Sequence, residues 1–314
     1  MHYRMMVLAA AVCLLTGCGS RENKNNSSKP DTDSSHAELV REYSQVPDEL
    51  KYAEFDRGKV KPLKYLGADG TERADSCLID DDLLKLDYTG LEYDYDENVR
   101  NTHYSLGFKV ENKSDELMNL TYVYGVNDAV MGEETIYLTG GESYDASAVM
   151  RYLREISPVT RYIDELFIGV YVKCGEKYLV YDRLRIVLSE EEEGQRFDYD
   201  DFETLFEDDK LVIKQVEIYD EYDERHTTLY IQNKSSDMIG FDMDTAADDN
   251  GELRAAGDII LPKGTRALAD TYVTNDSDDS GVEYASPEAK ARYCVFSSKG
   301  APLITDIDKE IQLW

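Results

Sequence analysis

A chain of 314 residues is long enough for two domains of ordinary size, and 42% hydrophobic and 11% aromatic residues supply packed cores rather than wholesale disorder. A formal net charge of −31, from 65 acidic against 34 basic residues, excludes a surface built for nucleic acid or for anionic lipid headgroups, both of which need a basic patch. The same charge keeps a protein soluble and attracts cations and basic partners.

His2 and Arg4 open the chain, and Met5 through Leu15 is almost entirely apolar. About eleven residues are too few to cross a hydrocarbon layer of about 30 Å as a helix. A weakly basic start and a short apolar run predict a signal peptide over residues 1–17. It ends in Leu15-Thr16-Gly17-Cys18, which resembles the lipobox of bacterial lipoproteins: a branched aliphatic residue, two small residues, then cysteine. The resemblance implies cleavage before Cys18 and lipid attachment at its thiol, as in palmitate-bearing proteins. Acyl chains stabilise such an anchor by about 0.8 kcal/mol per buried methylene, and two suffice without a membrane helix. Gly19 to Ser35 is rich in Ser, Asn, Lys and Asp, so residues 18–36 read as a lipid-anchored flexible tether. Residues 37–58 carry scattered apolar positions around Pro47-Asp48-Glu49 and read as a short helical lead-in.

A first β-sandwich domain is expected over residues 59–189. Leu83-Leu84-Lys85-Leu86 begins a strand that continues towards Leu91-Glu92-Tyr93, and Tyr95-Asp96-Glu97 turns it. Tyr104, Leu106, Phe108 and Val110 alternate with polar or smaller residues, the period of a half-buried strand. Asn112-Lys113-Ser114-Asp115 is turn chemistry. Leu120, Tyr122, Tyr124 and Val126 alternate again, and Ile136 with Leu138 forms a strand stopped by Gly140-Gly141. Over Asp145–Ile156 the period changes: Ala146, Val149, Leu153 and Ile156 share one helical face, so a short crossing helix is expected. Leu166, Ile168, Val170 and Val172, then Tyr178 to Leu188, complete about seven strands.

Residues 190–209 form an acidic linker, inside which Phe202, Leu205 and Phe206 fit a single helical turn. The second domain, residues 210–314, repeats the plan. Leu211-Val212-Ile213 answers Leu84-Lys85-Leu86, and Leu229-Tyr230-Ile231-Gln232-Asn233-Lys234-Ser235 answers Phe108-Lys109-Val110-Glu111-Asn112-Lys113-Ser114. Leu261-Pro262-Lys263-Gly264 answers Leu138-Thr139-Gly140-Gly141, and Ile311-Gln312-Leu313 answers Ile186-Val187-Leu188. The fold class is therefore all-β: two tandem immunoglobulin-like β-sandwich domains, with a short helix in the first. In this order of strand, Asn-Lys-Ser turn, strand, Gly-containing turn and strands, the chain resembles Gram-positive-type bacterial lipoproteins with tandem immunoglobulin-like domains. That resemblance implies fold and surface location only.

Chemistry-bearing residues are few. Neither His103 nor His226 has a nucleophile motif beside it, so no catalytic residue, no cofactor and no assigned metal is expected. Asp276, Asp278 and Ser280, followed by Gly281, match the opening of an oxygen-ligand calcium loop, but Pro287 stands where the closing acid belongs. Asp242, Asp244, Asp248 and Asp249 are a looser acidic group. Cys77, Cys174 and Cys294 have no metal or framework spacing, and a Cys77–Cys174 bridge is the one pairing to test. Many of the 24 tyrosines stand at alternating strand positions, where packing accounts for them. The expectation is a non-catalytic scaffold or binding module, held to the extracytoplasmic face of the cell membrane through lipid on Cys18. Its partner would be an envelope protein or glycan and not nucleic acid. The alternative is a carbohydrate- or calcium-binding surface lipoprotein. A transporter's solute-binding protein is disfavoured, because such folds need many long helices around a cleft.

Overall fold

The structure is a computed structural model that describes residues 62–96, 101–150, 164–188, 202–221, 224–248, 251–256, 258–274, 288–297, 300–307 and 311–312. Every regular element among them is a strand. The signal peptide, the tether and the lead-in helix expected at 37–58 lie outside the described residues.

In the first half, β3 (Cys77–Asp80), β4 (Leu84–Asp96), β5 (Asn101–Asn112) and β8 (Ser143–Met150) form one sheet in the order β3-β4-β5-β8. The opposing sheet holds β7 (Ala129–Leu138), β6 (Met118–Val126), β9 (Glu165–Cys174) and β10 (Lys177–Val187) in that order. The short strands β1 (Lys64–Leu66) and β2 (Glu72–Arg73) extend it beyond β10. All these neighbours are antiparallel, and the chain changes sheet after β2, β5, β7 and β8. That is the strand order of an immunoglobulin-like sandwich. Strand alternation builds the core: Leu84, Leu86, Leu106, Phe108 and Val110 face Leu120, Tyr122, Ile168, Val170 and Ile186, all buried in one cluster. Each such side chain contributes about 1.5–3 kcal/mol when it leaves water. Phe108 meets Tyr122 edge-on, with ring centroids 4.7 Å apart, the favoured arrangement for an aromatic pair.

The helix expected at Asp145–Ile156 is not formed over its described part. Residues 143–150 are β8, paired along β5 from Glu111↔Ser143 to Tyr104↔Met150. Ala146 and Ala148 are buried while Val149 is 40% exposed, a period of two rather than 3.6. The i, i+3 match of Ala146 and Val149 is coincidental in a run of small residues, and the open ladder of β5 decides the matter by supplying hydrogen bonds. Residues 151–156 lie outside the described set.

The second half repeats the arrangement with β11 (Glu203–Glu207), β12 (Leu211–Glu221), β13 (Glu224–Asn233) and β17 (Arg266–Thr274) in one sheet. Opposite them, β14 (Met238–Asp248) pairs with β15 (Gly251–Ala256), β16 (Asp258–Leu261) and β18 (Glu288–Ser297), and β15 also pairs with β17 from Arg254↔Thr274 to Ala256↔Tyr272, so the two faces are hydrogen-bonded at that edge. β18 carries β19 (Gly300–Asp306) and β20 (Ile311–Gln312). The repeat extends to register: Leu84↔Asn112 and Leu86↔Val110 in the first copy match Leu211↔Asn233 and Ile213↔Ile231 in the second. Phe202, Leu205 and Phe206 do not make a helical turn. Glu203–Glu207 is β11, the counterpart of β3, with Phe206 opposite Ile213 and Leu205 buried in the second core.

The two sandwiches are packed against each other. The outer face of β6 and β9, away from the first core, is covered by the second half. Val123, Val130 and Phe167 belong to the same buried cluster as Ile213, Ile239 and Phe241. Tyr171 lies 4.6 Å from Phe296 between ring centroids. A Cβ on Gly169 would come within 2.7 Å of Pro262 and 2.9 Å of Met238, so glycine is what lets the two backbones close here. A single parallel bridge, Arg266↔Ala129, continues the hydrogen bonding across. β9 is in consequence buried on both faces, and its sequence Leu166-Phe167-Ile168-Gly169-Val170-Tyr171-Val172 is an apolar run rather than an alternation.

Candidate functional site

The repeated Asn-Lys-Ser stretch does more than turn the chain. The Asn112 side chain is fully buried, and its Nδ2 donates towards the carbonyls of Glu116, Leu138 and Thr139 at 2.8, 3.0 and 3.1 Å. Its Oδ1 accepts from the amide and hydroxyl of Ser114 at 3.0 and 2.7 Å. Asn233 repeats this with the carbonyls of Asp237, Leu261 and Pro262 and the amide and hydroxyl of Ser235. One amide thereby ties the end of β5 or β13 to the start of β6 or β14 and to the Gly-containing turn. Lys113 donates to Asp80 Oδ1 at 2.9 Å and to the Asp81 carbonyl, and Lys234 does the same to Glu207 and the Asp208 carbonyl. Asp81 and Asp208 in turn accept amides at the starts of β4 and β12. The tyrosine hydroxyl that reaches each of these aspartates comes from different strands, Tyr181 of β10 and Tyr293 of β18. The Asn amide, Lys ammonium and Ser hydroxyl of each copy have partners within the fold, which accounts for the motif as architecture.

Cys18, expected from the sequence as the lipid attachment residue, and the calcium candidates Asp276, Asp278 and Ser280 lie outside the described residues, as do Asp248 and Asp249 in part or whole. Asp242 is committed elsewhere, accepting from Arg292 Nε at 2.9 Å and Nη2 at 2.6 Å. No group of three or more metal-ligating side chains occurs among the described residues. The two histidines are not brought together: His103 stands on β5 opposite Asp94, and His226 on β13 is buried with Nδ1 3.0 Å from Asp270 Oδ2. Of the tyrosines, Tyr122 and Tyr124 are core, whereas Tyr137 and Tyr144 are 53% and 45% exposed.

Cys77, Cys174 and Cys294 are free thiols. Cys174 is buried with Sγ 3.2 Å from Ser114 Oγ, and Cys77 lies half-buried with Sγ 3.3 Å from the Ile79 carbonyl. Burial pushes the Cys77 and Cys294 thiols up to about 11, the Asp87 carboxylate adding to the effect at Cys77. Both are thus held away from the thiolate that reacts. Native protein at pH 8 is expected to take up iodoacetamide at Cys77 and Cys294 at least about tenfold more slowly than glutathione does, with full labelling after denaturation. Peptide mass spectrometry of the alkylated protein checks this; fast labelling, or a disulfide between Cys77 and Cys174, contradicts it.

Two further places gather polar groups, the first of them sharing Asp80, Asp81 and Tyr181 with the motif. The first is a hollow of about 500 Å³ at the edge of the first sandwich, lined among others by Asp69, Arg73, Asp75, Asp80, Asp81 and Tyr181. Its carboxylates have donors of their own. Thr71 donates its hydroxyl and amide to Asp69, and Lys113 to Asp80; each contact holds its carboxyl below the usual range.

The second is the seam between the sandwiches. Asn127 and Arg183 both have positive φ, 51° and 49°, which is uncommon for non-glycine residues. Arg183 sits in a bulge of β10, and from it reaches the Asn127 carbonyl at 2.7 Å, Glu165 Oε1 at 3.1 Å and the Gly264 carbonyl of the second half at 3.4 Å. Arg185 Nε donates to the other Glu165 oxygen at 2.7 Å, so this buried carboxylate is held by two guanidiniums. Arg266 of the second half donates its Nε to Asp128 Oδ1 at 3.1 Å and its amide to the Asp128 carbonyl at 2.8 Å. Glu133 Oε2 accepts the Ile260 amide, and Asp182 Oδ1 the Lys263 amide, each at 2.8 Å. Desolvation pushes Glu133 up to about 7 and Asp182 up to about 6, against the pull of those amides. None of these residues stands out in the sequence. Only the apolar run of β9 signals that something covers its second face.

No protein-family model matches the chain, and no curated protein matches it. Among solved structures, it aligns with a transglutaminase of red sea bream at 9% identity over 69% of this chain, with a TM-score of 0.22. The YadV chaperone aligns at 13% identity over 65%, with a TM-score of 0.20, and the exo-chitosanase CsxA of Amycolatopsis orientalis at 11% over 69%, also at 0.20. The alignments span 30% of the transglutaminase, 90% of the chaperone and 26% of the chitosanase. Scores at this level carry no argument about activity.

Proposed function

We infer that the protein is a lipid-anchored, extracytoplasmic scaffold or binding module whose two sandwiches act as one body at the cell envelope. The observation that carries the location is Leu15-Thr16-Gly17-Cys18 after a short apolar run and before a polar tether. The packed seam supports the scaffold reading, since a doubly covered β9 joins the two halves through buried apolar contacts. A net charge of −31 favours a basic envelope partner. The polar groups described above serve the fold, which is why a non-catalytic role is preferred.

Changing Cys18 to Ser removes the thiol that would be acylated. The full-length variant is expected to lose incorporation of radiolabelled palmitate and to move from the membrane pellet to the soluble fraction of a Gram-positive host. Retention in the pellet with undiminished label refutes the anchor. The scaffold role is tested separately, by cross-linking the wild-type chain in intact cells and identifying what it captures relative to an unrelated lipoprotein. A profile identical to that control rejects it while leaving the anchor untouched.

A further inference from the structure

The seam places two carboxylates of the first sandwich on one short segment of the second. Glu133 of β7 accepts the amide of Ile260, and Asp182 of the β10 bulge accepts the amide of Lys263, both at 2.8 Å. The same segment is held by Arg183 on the Gly264 carbonyl, by the Asp128 carbonyl on the Arg266 amide, and by Lys263 Nζ on the Ala68 carbonyl at 3.0 Å. Residues 260–266 are thus gripped at five points across the seam, two of them by side chains that titrate. We propose that this seam is a proton-coupled joint: protonation of Glu133 and Asp182 tightens the docking of the second sandwich on the first, and their ionisation loosens it.

The groups that face each carboxylate set the direction. Glu133 meets the Ile260 amide and, from β16, Asp258, whose negative charge opposes its ionisation; across β6 its register partner is the apolar Val123. Asp258 is itself held above the usual carboxylate range by burial and by Asp242, which is paired with Arg292. Asp182 meets Lys263, which favours its charge, and Asp237, which opposes it, with Arg183 adjacent on its own strand. Desolvation outweighs the favourable partners at both sites. An acid whose pKa is higher docked than undocked takes up a proton on docking. Its contribution is complete below the ordinary carboxyl range and is lost as pH rises through the docked values of about 6 and about 7. The joint therefore closes most firmly in acid, weakens through the mildly acidic range and is slackest above neutrality.

Hydrogen exchange of the full chain in detergent micelles, followed by peptide mass spectrometry between pH 5 and 8, tests this. After correction for intrinsic exchange rates, opening of the peptide covering residues 258–266 is expected to increase more than about a hundredfold over that range, while a control peptide over 104–112 stays level. In the Glu133→Gln, Asp182→Asn double variant, both side chains keep an oxygen for the amide but cannot ionise, and the rise is expected to vanish. A level profile in the wild-type chain overturns the proposal, and so does an unchanged slope in the double variant. Should that variant fail to fold, Glu133→Gln alone is expected to halve the logarithmic rise, and the wild-type profile alone still decides.

Discussion

Replacing Asn112 with alanine is expected to lower folding stability by about 3 kcal/mol, and Asn233→Ala by about as much. Each amide is buried and supplies the donors for three carbonyls. Truncation removes the side-chain donor from the buried Leu138 or Leu261 carbonyl and opens a void beside it, whereas the Thr139 and Pro262 carbonyls keep the Glu142 and Thr265 amides. Asn112→Asp is expected to do no better, because a carboxylate has no donor to offer and would face three carbonyl oxygens. Ser114→Ala removes only one hydroxyl at the turn's edge and is expected to cost about 1 kcal/mol. Chemical denaturation with circular dichroism reads these differences as a falling midpoint at constant slope. A loss below about 1 kcal/mol for Asn112→Ala would mean that the amide is not the tie it is taken to be.

The second large effect is expected at Phe167, where alanine should cost about 4 kcal/mol. Its ring is fully buried and lies in the second sandwich's core cluster, although the strand that bears it belongs to the first. The Arg183 guanidinium stands 5.5 Å from the ring centroid, so truncation also uncovers the arginine at the bulge. Exchange protection should fall in β9 and in β14 together. A loss confined to β9 and its neighbours would show that the halves are independent, and would also weaken the scaffold reading. Ala148→Gly, at a buried but small position on β8, serves as a control and is expected to stay near 1 kcal/mol.

Much of this architecture is legible in the chain. Period-two alternation at Leu106, Phe108 and Val110 and again at Leu120, Tyr122 and Tyr124 marks strands that exist, with those residues facing the core. The internal repeat predicts register as well as order, since the Asn-Lys-Ser landmarks coincide with equivalent ladder positions in both copies. Where the reading goes wrong, short-range pattern competes with long-range pairing. Ala146 and Val149 match a helical spacing, but β5 needs a neighbour, and the ladder outweighs a two-residue coincidence. Phe202, Leu205 and Phe206 fit one helical turn, yet β12 recruits Glu203–Glu207 as an edge strand and leaves Phe202 just before it. The Asn side chain reads as turn chemistry because its partners at 138 and 139 lie far along the chain. The seam was the least visible. Glu133 and Asp182 are two acids among 65, and only folding decides which of them meets a backbone amide from the other half.

The doubly covered β9 also bears on how such a chain comes to be folded. In a chain that emerges N-terminus first, the first sandwich can close its own core while the outer face of β6 and β9, with Val123, Phe167 and Tyr171, still waits for β14, β16 and β18. During that interval the half-made protein presents a flat apolar surface of the kind that sticks to its neighbours. The order of synthesis therefore builds in a vulnerable period, and it ends only when the second copy arrives as an intramolecular lid. The two copies look interchangeable in sequence but are not so in time: the earlier one carries the adhesive face, and the later one supplies the cover.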